Sequence, residues 1–307
     1  MDTRAERGLV GGVSDEEVEN PKKVPFWLWP NVLGLDAPLV AVAWQFFFAE
    51  VFRLKIPASN YLTLGLAVWV IYSVDRLLDA RQLRAPERAA ARHRFYRRWY
   101  VPMAAITALV AAEAVFLALT RLPANLVHVG LMLSALVGVY FVHRIWIRGP
   151  MLLVLPKEVF AGFVFAVGAT LAGHVWSSEI PEALWSAEVL CFGALCSLNC
   201  LAISVWERES DADNDPNALA QMWPEVVGGF PLFAWAAAAA ACGFAAWQHT
   251  AAGFPVFVAV AAGAVAIALL ATLAGRMRVE LSRVLADVAV LLPVAAVLPA
   301  LPWLSTI

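Results

Sequence analysis

Charged residues are scarce in this chain. Only 15% of its 307 residues are charged and 62% are hydrophobic, and the mean hydropathy is +0.72. A typical soluble domain has about 25% charged residues, so this composition excludes a soluble globular protein. We therefore predict an integral membrane protein whose spanning segments leave no room for a second folded domain.

Cysteines are also few, and no two of them form a Cys-x-x-Cys pair. All four lie inside apolar segments, at Cys191, Cys196, Cys200 and Cys242. This pattern indicates neither a disulfide framework nor a zinc site. We interpret the cysteines as small residues that pack between helices.

The first 25 residues lack an apolar core. They carry mixed charges, which is typical neither of a signal peptide nor of a membrane span. We expect residues 1–25 to form a flexible cytoplasmic tail and residues 26–307 to form a single transmembrane domain.

Long apolar stretches, in contrast, fill most of the chain. A helix needs about 20 apolar residues to cross a bilayer, and nine stretches meet this requirement. They cover residues 31–52, 57–78, 99–120, 122–143, 151–173, 183–206, 224–247, 253–274 and 284–305. None of them alternates like a barrel strand. We therefore predict an all-α, polytopic membrane protein with a bundle of nine transmembrane helices.

Basic residues are distributed unevenly between the two sides of this predicted bundle. If the N-terminus is cytoplasmic, 19 of the 22 basic residues lie on the cytoplasmic side, and only Arg53, Lys55 and Arg121 do not. The positive-inside rule then predicts a multi-pass protein of the cell (inner) membrane with its C-terminus on the opposite side. The arginine-rich connector 81–99 could form an interfacial helix. Its arginines could bind lipid headgroups or contact a substrate.

Two pairs of acids stand at the ends of two apolar stretches. Asp75 and Asp79 are four residues apart at the end of the second span, and Glu207 and Asp211 repeat this spacing after the sixth. Residues four apart lie on one face of a helix, and both helix ends emerge on the same side of the membrane. A single pair could be solvated at the interface, but two matching pairs indicate a functional site.

The two pairs predict a site for magnesium and a diphosphate. Neighbouring carboxylates repel one another unless a cation lies between them. Mg²⁺ prefers oxygen ligands and commonly bridges one or two carboxylates to substrate phosphates. Basic side chains would balance the remaining negative charge of the diphosphate. The candidates are Arg76, Arg81, Arg84 and Lys157.

Three sequence motifs resemble those of the UbiA superfamily of intramembrane prenyltransferases. They are DRLLD at 75–79 with the following RAP at 84–86, ERESD at 207–211, and PKEVFAGFVFAVG at 156–168. The resemblance implies a nine-helix bundle in which acidic motifs on the second and sixth helices bind Mg²⁺ and a prenyl diphosphate. Asn199 or Cys200 is the candidate polar ligand one or two turns before the second motif, and Tyr72 is a candidate liner of the cavity. Glu207 stands where the family usually has aspartate.

The reaction that this resemblance implies is the transfer of a prenyl group to an aromatic or lipid acceptor. Metal and arginine would stabilise the departing diphosphate. A terpene cyclase of the same superfamily would ionise the same substrate without an acceptor. A transporter or assembly protein without catalytic activity is a third alternative, although transporters more often carry polar residues and broken helices at the bilayer midplane. We expect the partners to be a prenyl diphosphate, a hydrophobic acceptor and the lipid bilayer, with no nucleic acid.

Three further titratable residues have two interpretations each. His128 and His143 could help to deprotonate an acceptor, or could form hydrogen bonds between helices. Asp287, near the start of the last span, could face the cavity or could be solvated at the interface.

Overall fold

A computed structural model describes residues 24–83, 89–146, 156–177, 186–215 and 218–301. This part of the chain is helical, with no strands. The helices are α1 (Trp29–Leu33), α2 (Asp36–Val51), α3 (Ala58–Gln82), α4 (Ala91–Arg98), α5 (Tyr100–Arg121), α6 (Ala124–Trp146), α7 (Lys157–Ser177), α8 (Ala187–Trp206), α9 (Arg208–Asn214), α10 (Leu219–Met222), α11 (Glu225–Trp247), α12 (Phe254–Leu273) and α13 (Val279–Val297). Short 3₁₀ turns cover Phe26–Leu28, Ala274–Arg276 and Leu298–Ala300. Most of the predicted tail, residues 1–23, lies outside the described residues.

Eight helices of the described residues are long and apolar enough to cross a membrane. They are α3, α5, α6, α7, α8, α11, α12 and α13. These eight helices correspond to the second to ninth predicted stretches, because each apolar run is close to the length that a bilayer requires. The prediction of a polytopic, all-helical membrane protein is therefore confirmed.

The first predicted span, 31–52, is not one continuous helix. It contains α2 and most of α1, and the pair Phe26–Leu33 and Asp36–Val51 is bent by 77°. The chain turns at Gly34, whose φ of 73° lies in the left-handed region that glycine adopts without a steric penalty. The 16 residues of α2 extend about 24 Å, less than the ~30 Å of a bilayer core. Within the described ranges, a ninth span exists only if this bent pair is counted as one.

The last spanning helix begins earlier than the predicted stretch 284–305. α13 starts at Val279, so Arg283 lies within the helix and not in the loop before it. A buried charge is tolerated only with a partner, and Arg283 is 3% exposed and pairs with Glu207 inside the protein. Residues 302–305 of this prediction fall outside the described part of the chain.

The core of the bundle forms where α2, α7, α8, α12 and α13 meet. Gly162 on α7 allows the close approach of α8, because a Cβ atom there would lie 2.4 Å from the backbone nitrogen of Ser197. On the other side of α8, Phe192 stacks on Trp44 of α2 with 4.0 Å between the ring centroids. The Trp44 Nε1–H donates to the carbonyl of Val290 on α13 at 3.1 Å. These contacts hold the ends of α7 and α8, which carry site residues, in a defined position.

Candidate active site

A polar cavity of about 270 Å³ lies at the end of the bundle where α3 and α8 finish and α7 begins. All four predicted acids, Asp75, Asp79, Glu207 and Asp211, line this cavity. Residues that are more than 120 positions apart in sequence therefore meet in one place. The other charged residues that line it are Asp36, Arg76, Arg92, His93, Lys157, Glu158, Asp215, Arg283 and Asp287.

The first acid pair reaches the cavity from the last turns of α3. Asp75 and Asp79 are both part of its lining, as expected for residues one helical turn apart. The Asp79 carboxylate lies 3.7 Å from His93 Nδ1, which belongs to α4. The face of α3 that carries these acids is therefore turned towards the other site residues.

Glu207, from the second pair, is held between two arginines. It is 5% exposed, and Arg92 donates to both of its carboxylate oxygens at 2.7 Å each. Arg283 of α13 donates to Oε1 as well. This bidentate geometry is the strong form of an arginine–carboxylate pair. The contact joins α4, α13 and the junction of α8 with α9.

Asp211 lies one turn beyond Glu207 on α9. Burial, followed by the nearby Glu207 carboxylate, raises its pKa to about 8, although Lys157 acts in the opposite direction. Asp211 therefore holds its proton more tightly than an ordinary aspartate does. A cation in the cavity would favour the charged carboxylate.

Lys157 opens α7 and points its ammonium group into the cavity. It forms an ion pair with Asp215, which follows α9. Its neighbour Glu158 is 5% exposed and accepts a hydrogen bond from the Leu219 backbone nitrogen at 2.9 Å. This bond fixes the start of α10, and the second Glu158 oxygen has no hydrogen-bond partner among the described residues.

Arg76, a predicted diphosphate ligand, is engaged by α1. It is 5% exposed, and its Nη1 donates to the carbonyls of Asn31 and Val32 at 2.7 and 3.2 Å. Its Nη2 lies 3.8 Å from Asp36. Carbonyls at the end of a helix favour a cation. Arg76 thus joins α3 to the bend before α2, and it also lines the cavity.

Asn199 and Asp287 line the inner part of the polar cavity. The Asn199 amide donates to Asp287 Oδ1 at 3.1 Å, while Asn199 Oδ1 is buried and has no hydrogen-bond partner in the part of the chain that the structure describes. Asp287 therefore lines the cavity, which is the first of the two alternatives that the sequence left open for it. Both residues lie within spanning helices, α8 and α13.

An apolar chamber of about 460 Å³ adjoins the polar cavity. Side chains of α3, α5, α6 and α7 form most of its wall. The two spaces share four lining residues, Tyr72, Asp75, Tyr140 and Ala161. Tyr72, the predicted cavity liner, therefore stands at the boundary between charged and apolar surfaces. Aromatic rings of Tyr140 and Phe160 stack beside this boundary, with 5.7 Å between their centroids.

Some predicted residues lie elsewhere. Arg81 is exposed and does not line either cavity. His128 is also exposed, on α6, and lines neither space. Arg84, with the rest of the 84–86 motif, lies outside the described residues, and the same holds for the side chain of His143.

The oxygen donors of the polar cavity suit Mg²⁺, but the protein side chains alone do not complete its coordination. In the described ranges, no three His, Cys, Asp or Glu side chains are grouped so that they could hold one ion. Asp75, Asp79 and Asp211 nevertheless line the same cavity. Two buried oxygens there, on Glu158 and Asn199, accept no hydrogen bond from any described residue. Such a donor set suits Mg²⁺ bound by one or two carboxylates together with ligand phosphates.

Sequence reasoning missed Arg92 and Arg283 as individual site residues. Arg92 is one of eight arginines between positions 76 and 98, and no spacing distinguishes it from the others. Arg283 stood in a predicted loop. Glu207 could have indicated these partners, because a buried carboxylate requires a basic partner.

Comparisons with models of protein families, with curated proteins and with solved structures find no match to this chain. The resemblance to the UbiA superfamily therefore depends on the three quoted motifs alone. The residues that line the two cavities carry the functional conclusion.

Proposed function

We propose that the protein is an intramembrane, Mg²⁺-dependent prenyltransferase that ionises a prenyl diphosphate and transfers the prenyl group to an aromatic or lipid acceptor. The observation that carries this proposal is the junction of a charged cavity with an apolar chamber at Tyr72, Asp75, Tyr140 and Ala161. A ligand that fills both spaces has a charged head and a long hydrocarbon tail. A prenyl diphosphate has this form.

The charges of the polar cavity suit a diphosphate that arrives with metal ions. Asp75, Asp79 and Asp211 are the acids available for Mg²⁺. When bound, Mg²⁺ would supply Lewis-acid stabilisation of the negative charge on the leaving diphosphate. Lys157 adds a compact positive charge from the start of α7.

Arg92 and Arg283 provide the planar guanidinium groups that pair well with phosphate oxygens. Both also donate hydrogen bonds to Glu207. An incoming diphosphate competes with this carboxylate for the same donors. Glu207, the fourth predicted metal ligand, would then be able to hold Mg²⁺ together with the other acids of the cavity.

The transfer step breaks the C1–O bond of the prenyl diphosphate, and the bond pair leaves with the diphosphate. The allylic carbon then accepts an electron pair from a ring carbon or a hydroxyl oxygen of the acceptor, which loses a proton. Tyr72 and Tyr140 lie where C1 would meet the boundary of the two spaces. Their ring faces can stabilise the positive charge of the allylic carbon, and the apolar chamber keeps water from its tail.

The test is release of diphosphate by the purified protein in lipid nanodiscs. The substrates are C10, C15 and C20 prenyl diphosphates, with and without Mg²⁺ and with a quinone precursor, a porphyrin or a lipid alcohol as acceptor. We expect Mg²⁺-dependent release that falls roughly 100-fold in Asp75→Asn, since a site of charge stabilisation is removed. Glu209→Gln is the matched control, because Glu209 is exposed on the same segment as Glu207 and lines neither cavity.

The products separate the alternatives. Release that requires an acceptor supports transfer, whereas a cyclic hydrocarbon or alcohol formed without acceptor identifies a terpene cyclase. No metal-dependent release with any of the three chain lengths would contradict the catalytic proposal and leave a transporter or assembly role.

A further inference from the structure

The apolar chamber contains a group of polar side chains at its end away from the polar cavity, where α3 begins. Gln45 of α2 and Asn60 and Thr63 of α3 line this chamber. Their exposed fractions are 2%, 3% and 9%. None of the five polar atoms of these side chains has a hydrogen-bond partner within the described structure. We call these three residues the inner polar group.

Such an arrangement is costly for a membrane protein. Polar side chains inside membrane helices normally bond to a neighbouring helix. A buried polar atom without a partner loses its hydrogen bonds to water and forms none within the protein. Helix-to-helix bonding would be the structural explanation for Gln45 and Asn60, yet neither amide forms such a bond with any helix that the structure describes. Their donors and acceptors remain available to a ligand in the chamber.

The surroundings determine which ligand group fits. Asp75, at the boundary with the polar cavity, is the sole Asp, Glu, Lys, Arg or His among the chamber-lining residues that the structure describes. A charged group next to the inner polar group would therefore have no counter-ion. Two amides and one hydroxyl offer both donors and acceptors, which suits a neutral hydroxyl or carbonyl oxygen.

The position of the inner polar group sets the length of the ligand. Thr63 and Asn60 precede Asp75 by 12 and 15 residues on one helix, which corresponds to about 18 and 22 Å of α3. Apolar side chains such as Ala67, Val68 and Ile71 line the intervening part of the chamber. A ligand bound by the inner polar group therefore extends a hydrocarbon portion towards the polar cavity.

We propose that Gln45, Asn60 and Thr63 bind the hydroxyl or carbonyl oxygen of a neutral lipid that occupies the apolar chamber. This binding site goes beyond the diphosphate reaction and does not depend on it. The unpaired polar atoms are kept in the fold because the ligand supplies their partners.

The experiment measures ligand binding to the full chain in detergent micelles without Mg²⁺ or diphosphate. The probes are farnesol and the C15 hydrocarbon with the same skeleton, each titrated at matched mole fraction. The shift of the unfolding midpoint gives the affinity. We expect farnesol to bind the wild type more tightly than the hydrocarbon does. The double variant Gln45→Leu/Asn60→Leu should weaken farnesol binding about tenfold, because hydrogen bonds to the oxygen are lost.

Two control variants locate the bound oxygen. Ser134→Ala removes another hydroxyl from the chamber wall, but this hydroxyl already donates to the Gly130 carbonyl at 2.8 Å, so farnesol affinity should not change. Asp75→Asn tests the polar cavity. If Asp75→Asn weakens farnesol binding and the double variant does not, the oxygen lies at the acidic end and the proposal is wrong.

The stability of the empty protein gives a second readout. The double variant removes four unpaired polar atoms, so without farnesol its unfolding midpoint should be equal to or above that of the wild type. A double variant that is destabilised or does not fold would show that the amides have protein partners, which overturns the proposal. Equal affinity of the wild type for farnesol and the hydrocarbon would overturn it as well. Thr63→Val, which keeps the side-chain shape, should give a smaller loss of farnesol affinity in the same direction.

Discussion

Glu207 contacts two basic side chains in the polar cavity. Two arginines from different helices share its oxygens, and the side chain is 5% exposed. A buried pair of this kind contributes little net stability when complete, but it is costly to break, because the remaining charge stays buried without a partner. Removing one member of the triad of Arg92, Glu207 and Arg283 should therefore lower the stability of the fold around the site.

The variant Glu207→Gln removes the negative charge and leaves Arg92 and Arg283 facing each other. We expect a loss of about 3 kcal/mol in the free energy of unfolding. Denaturant unfolding in micelles, followed by tryptophan fluorescence, measures this difference.

Glu209→Gln is the comparison for this variant, since Glu209 is exposed two residues away. Its effect should stay within about 0.5 kcal/mol. Equal effects of the two substitutions would show that the triad does not stabilise the fold.

Asp211 makes the stability of the ligand-free protein depend on pH. Its folded-state pKa is raised from 3.8 to about 8, so between these values the folded state binds more protons than the unfolded state. Stability from this residue is therefore highest below pH 4 and decreases as pH rises towards 8. We expect the difference in unfolding midpoint between Asp211→Asn and the wild type to increase in favour of the variant from pH 5 to pH 8, without Mg²⁺. A difference that is constant over this range would contradict the raised pKa.

Individual acids of the site were predictable from the sequence, but their basic partners were not. The spacing of Asp75 and Asp79 is a local property of a helix, so it predicts that both reach the same space. Arg92 is 115 residues from Glu207, and no local pattern predicts that contact. The hydrogen bonds of Arg76 to α1 depend on the bend at Gly34, which apolar periodicity does not reveal.

At the scale of secondary structure, the bend between α1 and α2 connects the fold to the site. The carbonyls at the end of α1 bind Arg76, whose helix carries Asp75 and Asp79. Gly34 makes this possible in two ways. Its φ is positive, and a Cβ atom would lie 2.8 Å from Arg76 Nη1.

We expect Gly34→Ala to lower the free energy of unfolding by about 1–2 kcal/mol, because a side chain is strained in the left-handed conformation. The substitution should also move Arg76 and reduce diphosphate release. Thermal unfolding and the release assay measure the two effects.

Gly243→Ala is the matched glycine variant, on α11, where a Cβ atom would meet nothing within 4 Å. It should raise stability by about 0.5–1 kcal/mol through helix propensity. Similar losses of unfolding free energy in both variants would show that the bend does not require glycine at position 34.

The lengths of the spanning helices were predictable because lipid imposes one length on every span. The exceptions involve polar contacts. α13 begins before the predicted stretch and includes Arg283, which forms an ion pair with Glu207 inside the protein. α4, inside the arginine-rich connector, buries Tyr96 completely and directs Arg92 into the cavity.

For the whole molecule, the number of membrane crossings decides where the termini lie. With eight spans, both termini would lie on one side of the membrane. If the bent pair of α1 and α2 is counted as a ninth span, the termini lie on opposite sides. The distribution of basic residues favours a cytoplasmic N-terminus and an external C-terminus. We expect reporter fusions at the two ends to respond in opposite compartments. Reporters on the same side would show that the bent pair does not cross.

The apolar chamber has a consequence for how any reaction in it is measured. α6, which forms much of its wall, has the smallest buried share of the eight candidate spans, and side chains such as Met132 and Val139 are largely exposed. In a membrane these surfaces contact acyl chains, so a hydrophobic reactant reaches the protein from the bilayer. Its effective concentration is then its mole fraction among the lipids, and adding inert lipid at constant bulk concentration slows turnover by surface dilution.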